Sequence, residues 1–303
     1  MIHIIITSYN EPKATERAVK AFLEQDIPKP FKIIVADPFP EVKEFINEQF
    51  KHNKKVEFYL DPGEGKGVVL NMIFEEIYSE DKNDIIISTD GDVYVNKEAV
   101  KEILNSFKDP EIGLVAGRPI STNSRNNKYG YWSHLLLDEM NRTRKKLSDK
   151  KEFFELSGYL FGMRNSVIKE FPIGAAEDNV IPRLFWAKNY KIIYNENAQA
   201  YVLNPQHFKD WALQKKRNIK AHISLNKLFD DKIKRKNTIF GEAIRGLYVF
   251  VYLRNLKELV WSIELLFARL YIWFSAYYEV YFKKEEYKDG WREKETETTK
   301  PLD

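Results

Sequence analysis

Asp84-Ile85-Ile86-Ile87-Ser88-Thr89-Asp90-Gly91-Asp92 decides how this chain folds. Ile85 to Ile87 is a short unbroken apolar run of the kind buried on both faces of a parallel sheet, and Ser88-Thr89 is expected to lead the chain out of the core. Two carboxylates, one residue apart, then stand at the carboxyl end of a strand, the edge where open α/β sheets bind ligands. Gly91 between them lets the backbone turn so that Asp90 and Asp92 converge. Two converging carboxylates suit a hard divalent cation that keeps several waters and takes phosphate oxygens as further ligands. The same tripeptide is also an ordinary solvated turn. The rest of the chain has to decide between the two.

Outward from this stretch, strands and helices alternate. Ile2–Thr7 reads as a strand that empties into Ser8-Tyr9-Asn10-Glu11-Pro12, where Pro12 suits the first turn of a helix turning Ala18, Val19, Phe22 and Leu23 inward. A strand over 32–36 ends on Asp37-Pro38, a helix covers 42–50, and Val56–Leu60 is the next strand. This spacing predicts a mostly parallel sheet flanked by helices. The loop Asp61-Pro62-Gly63-Glu64-Gly65-Lys66-Gly67 opens a helix bearing Val69, Met72, Ile73 and Ile77. It is neither a P-loop nor a dinucleotide fingerprint, and stands as a phosphate cradle or a tight turn. Asn96 is placed to cap a helix over 97–107, with a strand over 112–116 and a helix over 129–147 beyond it. Ser157-Gly158-Tyr159-Leu160-Phe161-Gly162-Met163-Arg164 reads as a strand or loop that something approaches closely. Glu177-Asp178 forms a second acidic pair at a helix start, where acids ordinarily serve the helix dipole.

The 48 basic and 45 acidic residues among 303 nearly cancel, so the balance calls for no nucleic-acid partner. The basic clusters at 142–146 and 232–236 read as solvated helix faces, with anionic lipid as the functional alternative. With no cysteine in the chain, disulfides and thiolate metal sites are excluded, leaving oxygen and imidazole ligands. The amino terminus opens into a strand with neither a basic stretch nor a small-residue cleavage site, so a cytoplasmic catalytic body is expected. Over 246–282 large aliphatic and aromatic residues crowd together, interrupted by Arg254, Lys257, Glu258, Glu264, Arg269 and Glu279. Three readings stand for it: helices lying in a membrane interface, a core or oligomer-interface helix, or a true span. The tail 283–303 is charged and expected to be disordered. The chain therefore divides into a catalytic domain at 1–225, a helical region at 226–282 and a tail at 283–303.

Taken together and in order, Ile6-Thr7-Ser8-Tyr9-Asn10-Glu11, Asp37, Gly65-Lys66-Gly67, Asp90-Gly91-Asp92, Ser157-Gly158, Glu177-Asp178 and Gln214-Lys215-Lys216-Arg217-Asn218 resemble the inverting family 2 glycosyltransferases of GT-A fold. The resemblance implies a UDP- or GDP-sugar donor, with Ser8, Asn10, Glu11 and Asp37 near the nucleoside, Lys66 near the nucleotide, and Gln214 and Arg217 in a motif that lies close to donor and acceptor. It implies that Asp90 and Asp92 form the DxD motif holding Mg²⁺ or Mn²⁺. It makes Asp178 the catalytic base and places Ser157, Gly158 and Glu177 toward a glycan or lipid-linked acceptor. One position departs from the family pattern: Asn218 stands where Gln-x-x-Arg is usually followed by tryptophan. The chain also lacks a series of uncharged spans of roughly 20 residues, so a single addition is expected rather than polymer synthesis.

Other residues invite a role. His207 reads as a metal or phosphate contact or as a surface histidine, with His134 and His222 behind it. Trp132, Tyr159, Phe161 and Trp211 read as a sugar-stacking platform or as core. The competing functions are a sugar-phosphate nucleotidyltransferase, although Ser8-Tyr9-Asn10-Glu11 lacks its glycine-rich loop, and a non-catalytic membrane-associated nucleotide-sugar-binding protein.

Overall fold

The isoleucine-rich amino terminus seeds the sheet. In the computed structural model, which describes residues 1–229 and 248–288, Ile2–Thr7 (β1) pairs in parallel with Phe31–Asp37 (β2) and Ile85–Asp90 (β4). Ile4 lies opposite Ile33 on one side and Ile87 on the other, and Val56–Leu60 (β3) extends the parallel half beside β2. Parallel neighbours need crossovers. Pro12–Leu23 (α1), Pro40–Gln49 (α2) and Lys66–Ile77 (α3) supply them, with Pro12 and Pro40 in first turns where a missing N–H costs nothing. Alternate side chains enter opposite cores. Ile4, Ile6, Ile33 and Ile87 pack with Val19, Phe22 and Ile46, while Ile5, Ile34 and Ile86 pack with Val69, Leu70, Ile73 and Phe74. Burial on both faces is why these strands show no polar alternation.

The second half continues through Tyr94–Val95 (β5), Ala99–Ser106 (α4), Ile112–Ser121 (β6), Lys128–Asp149 (α5), Leu160–Arg164 (β7), Glu177–Ala187 (α6), Lys191–Val202 (β8) and Phe208–Leu228 (α7). The strand order is β3-β2-β1-β4-β7-β6-β8-β5, and β7 inserts antiparallel between β4 and β6. That insertion matters for the site: Thr89 faces Leu160, so the Ser157-Gly158-Tyr159 turn sits beside the carboxyl end of β4. A short turn of helix, Val249–Tyr252 (α8), and the long Leu256–Tyr281 (α9) complete the described chain.

The structure corrects several local expectations. Ser88 and Thr89 do not leave the core; both lie within β4 with no exposed surface, and Thr89 Oγ1 donates to the Tyr159 carbonyl at 2.6 Å. Asn96 does not cap the next helix with its side chain. Its Oδ1 accepts from Gln199 N at 2.9 Å and its Nδ2 donates to the Asn197 carbonyl at 3.1 Å, and α4 starts at Ala99. The strand at 112 runs to Ser121. Met72 is exposed, and its place in the core belongs to Leu70 and Phe74. Within 142–146, Arg144 is buried and donates to the carbonyls of Glu155 and Leu156. The cluster at 232–236 lies outside the described residues.

A third core closes the carboxyl-terminal side. Tyr131, Trp132 and Leu135 of α5, Trp211, Ile219 and Ile223 of α7, and Leu265, Ala268, Ile272 and Ala276 of α9 pack together. Trp132 Nε1 donates to the Trp261 carbonyl at 2.7 Å. Arg125, just before α5, holds Glu258 in the first turn of α9 with two bonds, Nε to Oε1 at 2.8 Å and Nη2 to Oε2 at 3.0 Å; Glu258 is only 3% exposed. Arg125→Met strands that carboxylate in the interior and is expected to cost about 3–5 kcal/mol in urea unfolding, most of it recovered in Arg125→Met/Glu258→Leu.

Candidate active site

Three parallel strands end side by side, and their last residues build the floor of the site. Thr7 stands opposite Ala36 of β2 and Asp90 of β4, and the next residues stay in register through Ser8 N to the Ala36 carbonyl at 2.8 Å and Gly91 N to the Thr7 carbonyl at 2.7 Å. Asp37, wholly buried, accepts from Ser8 Oγ at 2.6 Å, from Asn10 N at 3.0 Å and from Phe39 N at 2.9 Å. Burial pushes its carboxyl up, and these hydrogen bonds pull against it. Asn10 adopts a left-handed conformation with φ 55° to make its bond. Asp37 therefore fixes the Ser8–Asn10 turn from beneath. Gly91 has no positive φ; it is needed because a Cβ there would overlap Ser8 Cβ and come within 2.9 Å of Thr15 Oγ1.

Above this floor lies a chain of charges. Lys66 Nζ, at the start of α3, stands 2.6 Å from Asp90 Oδ1 and 2.7 Å from Glu177 Oε1 at the start of α6. Burial alone would lower the ammonium's affinity for its proton, but Asp90 and Glu177 together raise it above the ordinary lysine value. Gly65 turns the chain into α3 with φ 113°, which favours glycine. Gly158 lies against the same cluster: a Cβ there would meet Glu177 Oε1 at 3.3 Å, Lys66 Nζ at 3.4 Å and Asp90 Oδ2 at 3.7 Å.

Asp178 follows Glu177 in the first turn of α6. Burial and the adjacent Glu177 push its carboxyl up to about 7, against the pull of Arg217, Lys66 and Arg144. The Tyr159 hydroxyl is raised as well, first by burial and then by Asp92, Asp90 and Asp178, with Arg217 opposing. These mutual influences place both acidic pairs and Arg217 around one space. That space is a cavity of about 1420 Å³. Ser8, Glu11, Lys66, Asp90, Asp92, Ser157, Gly158, Glu177, Asp178, Gln214 and Arg217 line it, whereas Asn10 and Asp37 do not. Leu136 and Met140 of α5 and Ile263, Leu266 and Leu270 of α9 contribute apolar lining.

The description of Glycosyl transferase family 2 matches residues 3–171. The chain belongs to that family. It is a glycosyltransferase of GT-A fold, and the nucleotidyltransferase and non-catalytic readings give way to this. A comparison with curated proteins returns no match. Among solved structures, S. aureus TarS superposes with a TM-score of 0.50 at 16% identity, over 85% of this chain and 53% of that one. TarS 1–349 gives 0.45 at 18% identity, over 81% and 68%. GalNAc-T7, solved with UDP, GalNAc and Mn²⁺, gives 0.47 at 17% identity, over 66% and 42%. What this glycosyltransferase shares with TarS at such identity is the fold.

The remaining candidates sort by position. Trp132, Phe161 and Trp211 are core, with the Trp132 and Trp211 rings tilted at 52° and 5.0 Å apart, while Tyr159 and an edge of Trp211 line the cavity. His207 is an exposed residue at the start of α7, His134 Nε2 bonds the Asn123 carbonyl at 2.8 Å, and His222 lies 3.6 Å from Glu155. Lys216 pairs with Glu279 of α9 at 2.7 Å. Asn218 is exposed. Sequence reasoning missed that Lys66 ties Asp90 to Glu177, and it missed Tyr287, which lines the cavity from far along the chain. Among the described residues no three or more His, Asp or Glu side chains are arranged to hold a metal ion. Asp90 and Asp92 offer hard oxygen ligands, and a cationic group already rests against Asp90, so the pair fits an ion that completes its shell from phosphate and water.

Because folded Asp178 holds its proton more tightly than the unfolded chain, its contribution to stability is complete below the ordinary 3.8 and is lost as pH rises through about 7. Thermal unfolding followed between about pH 4 and pH 8 is expected to show that decline in the wild type and a flatter profile in Asp178→Asn.

Proposed function

We propose that this glycosyltransferase moves a sugar from a UDP- or GDP-sugar to a hydroxyl of a lipid-linked or glycan acceptor, by one displacement with inversion. The observation that carries the reading is the shared cavity: Asp178 lines it together with Lys66, Arg217 and the Asp90–Asp92 pair, and burial beside Glu177 pushes its carboxyl up. A general base works best with a pKa near the operating pH, where its ionised form is present and still basic. Asp178 takes the proton of the acceptor hydroxyl as that oxygen bonds to the anomeric carbon. The bond from that carbon to the diphosphate oxygen breaks on the opposite side, which inverts the centre. Lys66 and Arg217 face the charge that grows on the departing diphosphate and bind it more tightly as it develops. Asp90 and Asp92 would hold Mg²⁺ or Mn²⁺, which when bound neutralises part of that charge.

Nucleotide release from UDP-, GDP- and dTDP-sugars with Mn²⁺ or Mg²⁺ tests the reading. One donor is expected to turn over in the wild type, and silence across the panel would refute it. Asp178→Asn should slow transfer by roughly 10²–10⁴-fold while leaving donor binding nearly intact. Asp92→Ala should instead weaken metal-dependent donor binding.

The lipid-linked acceptor is favoured by α9. One face of this helix packs on α5 and α7 through Leu265, Ala268, Ile272 and Ala276; the other exposes Val260, Phe267, Tyr271, Phe274, Tyr278 and Phe282. Although α9 is long and apolar enough to cross a membrane, a helix lying along the domain suits the interface better. Exposed Arg254 before it and Lys257 in its first turn, and Lys283 and Lys284 after it, suit anionic headgroups, as at the cytoplasmic face of a membrane. Wild-type protein is expected to sediment with phosphatidylglycerol vesicles and Phe267→Ser/Phe274→Ser/Phe282→Ser to stay in solution; equal binding by both would refute this arm.

A further inference from the structure

Beyond α9 the chain does not run straight out. Lys284 takes a left-handed turn with φ 55°, and Glu285 N bonds the Glu279 carbonyl at 3.0 Å. Glu285 then pairs with Lys220 of α7 at 2.7 Å, and Lys220 also reaches Glu279 at 2.8 Å. These contacts lay residues 283–288 back across α7. Along 281–288 every residue is exposed except Tyr287, which is half-buried. Its hydroxyl accepts from Arg217 Nη2 at 3.1 Å, and the Arg217 guanidinium lies 5.6 Å from its ring centre, within cation–π range. Tyr287 lines the same cavity as Asp90, Asp178 and Arg217, and it lies outside the residues 3–171 that carry the family match.

We infer that Tyr287 is a positioning residue of the donor site, holding Arg217 in the orientation from which it meets the diphosphate. This rests on the proposed reading of Arg217 as a diphosphate ligand. An arginine side chain carries several rotatable bonds, and a ligand that must order it loses affinity in doing so. A ring on one side and a hydroxyl on one of five N–H donors fix the fork beforehand. The strap is pinned by ion pairs on α7 itself, so the ring moves with the helix that carries Arg217. Tyr287 thereby makes the carboxyl-terminal segment part of the catalytic centre.

The test is equilibrium binding of UDP, GDP and dTDP with Mn²⁺ to the full chain, by calorimetry, for wild type, Tyr287→Ala, Tyr287→Phe, Arg217→Gln and the Tyr287→Ala/Arg217→Gln double variant. Tyr287→Ala should bind the preferred nucleotide roughly three- to tenfold more weakly, with Tyr287→Phe in between and thermal unfolding unchanged. In the Arg217→Gln background, Tyr287→Ala should add no further loss, the signature of two residues acting as one unit. Equal binding by wild type and Tyr287→Ala, or the same loss with and without Arg217, would overturn this inference and leave the proposed function standing. Failure of the wild type to bind any of the three nucleotides would overturn both.

Discussion

A single ammonium group makes the centre of this protein possible. Asp90, Asp92, Glu177 and Asp178 converge on one cavity, and that many carboxylates in a partly desolvated space repel one another. Lys66 spans two of them at 2.6 and 2.7 Å and joins three elements: the start of α3, the end of β4 and the start of α6. Much of the surrounding sequence serves that contact. Gly65 gives the backbone the turn that presents Lys66, and Gly158 leaves the space into which its Nζ projects.

The layers around this centre differ in purpose. The parallel half of the sheet, packed on both faces, is a rigid platform whose strand ends set the positions of Asp37 and Asp90 to within a hydrogen bond. The third core is built from aromatic residues and joins α5 and α7 to α9. It brings apolar residues of α9 to the cavity that the charged residues also line, so that the polar and much of the apolar lining of one space come from different parts of the chain. Such a division suits an enzyme whose two substrates differ in solubility.

What the sequence disclosed follows from how local each signal is. The strands β1 to β4 announce themselves as apolar runs because two-sided burial leaves no room for polar residues, and Asp90-Gly91-Asp92 was legible because it ends such a run. Ser88 and Thr89 misled because polarity suggests exposure, yet a strand carries its own backbone bonds and the Thr89 hydroxyl finds the Tyr159 carbonyl across the sheet. Asn96 looked like a cap since capping residues are recognised by type, but its amide is committed to β8, more than 100 residues away. Arg144 stood among basic neighbours and was read with them, although the Glu155 and Leu156 carbonyls draw it inward. Tyr287 gave no signal at all, because its contact is with a residue 70 positions earlier and its neighbours are charged.

The contacts that seat α9 have a consequence for the order of events during synthesis. Arg125 and Glu258 are separated by 133 residues, Trp132 and Trp261 by 129, and Tyr252 reaches back to Asp138. On a ribosome the strands β1 to β4 emerge together and can condense early, since β1, β2 and β3 find all their partners within the first third of the chain and only the outer edge of β4 waits for β7. The helix that carries Arg217 waits for its apolar cover until α9 has been made. The nascent chain thus holds a folded parallel half-sheet well before α9 docks on α5 and α7 and closes the third core.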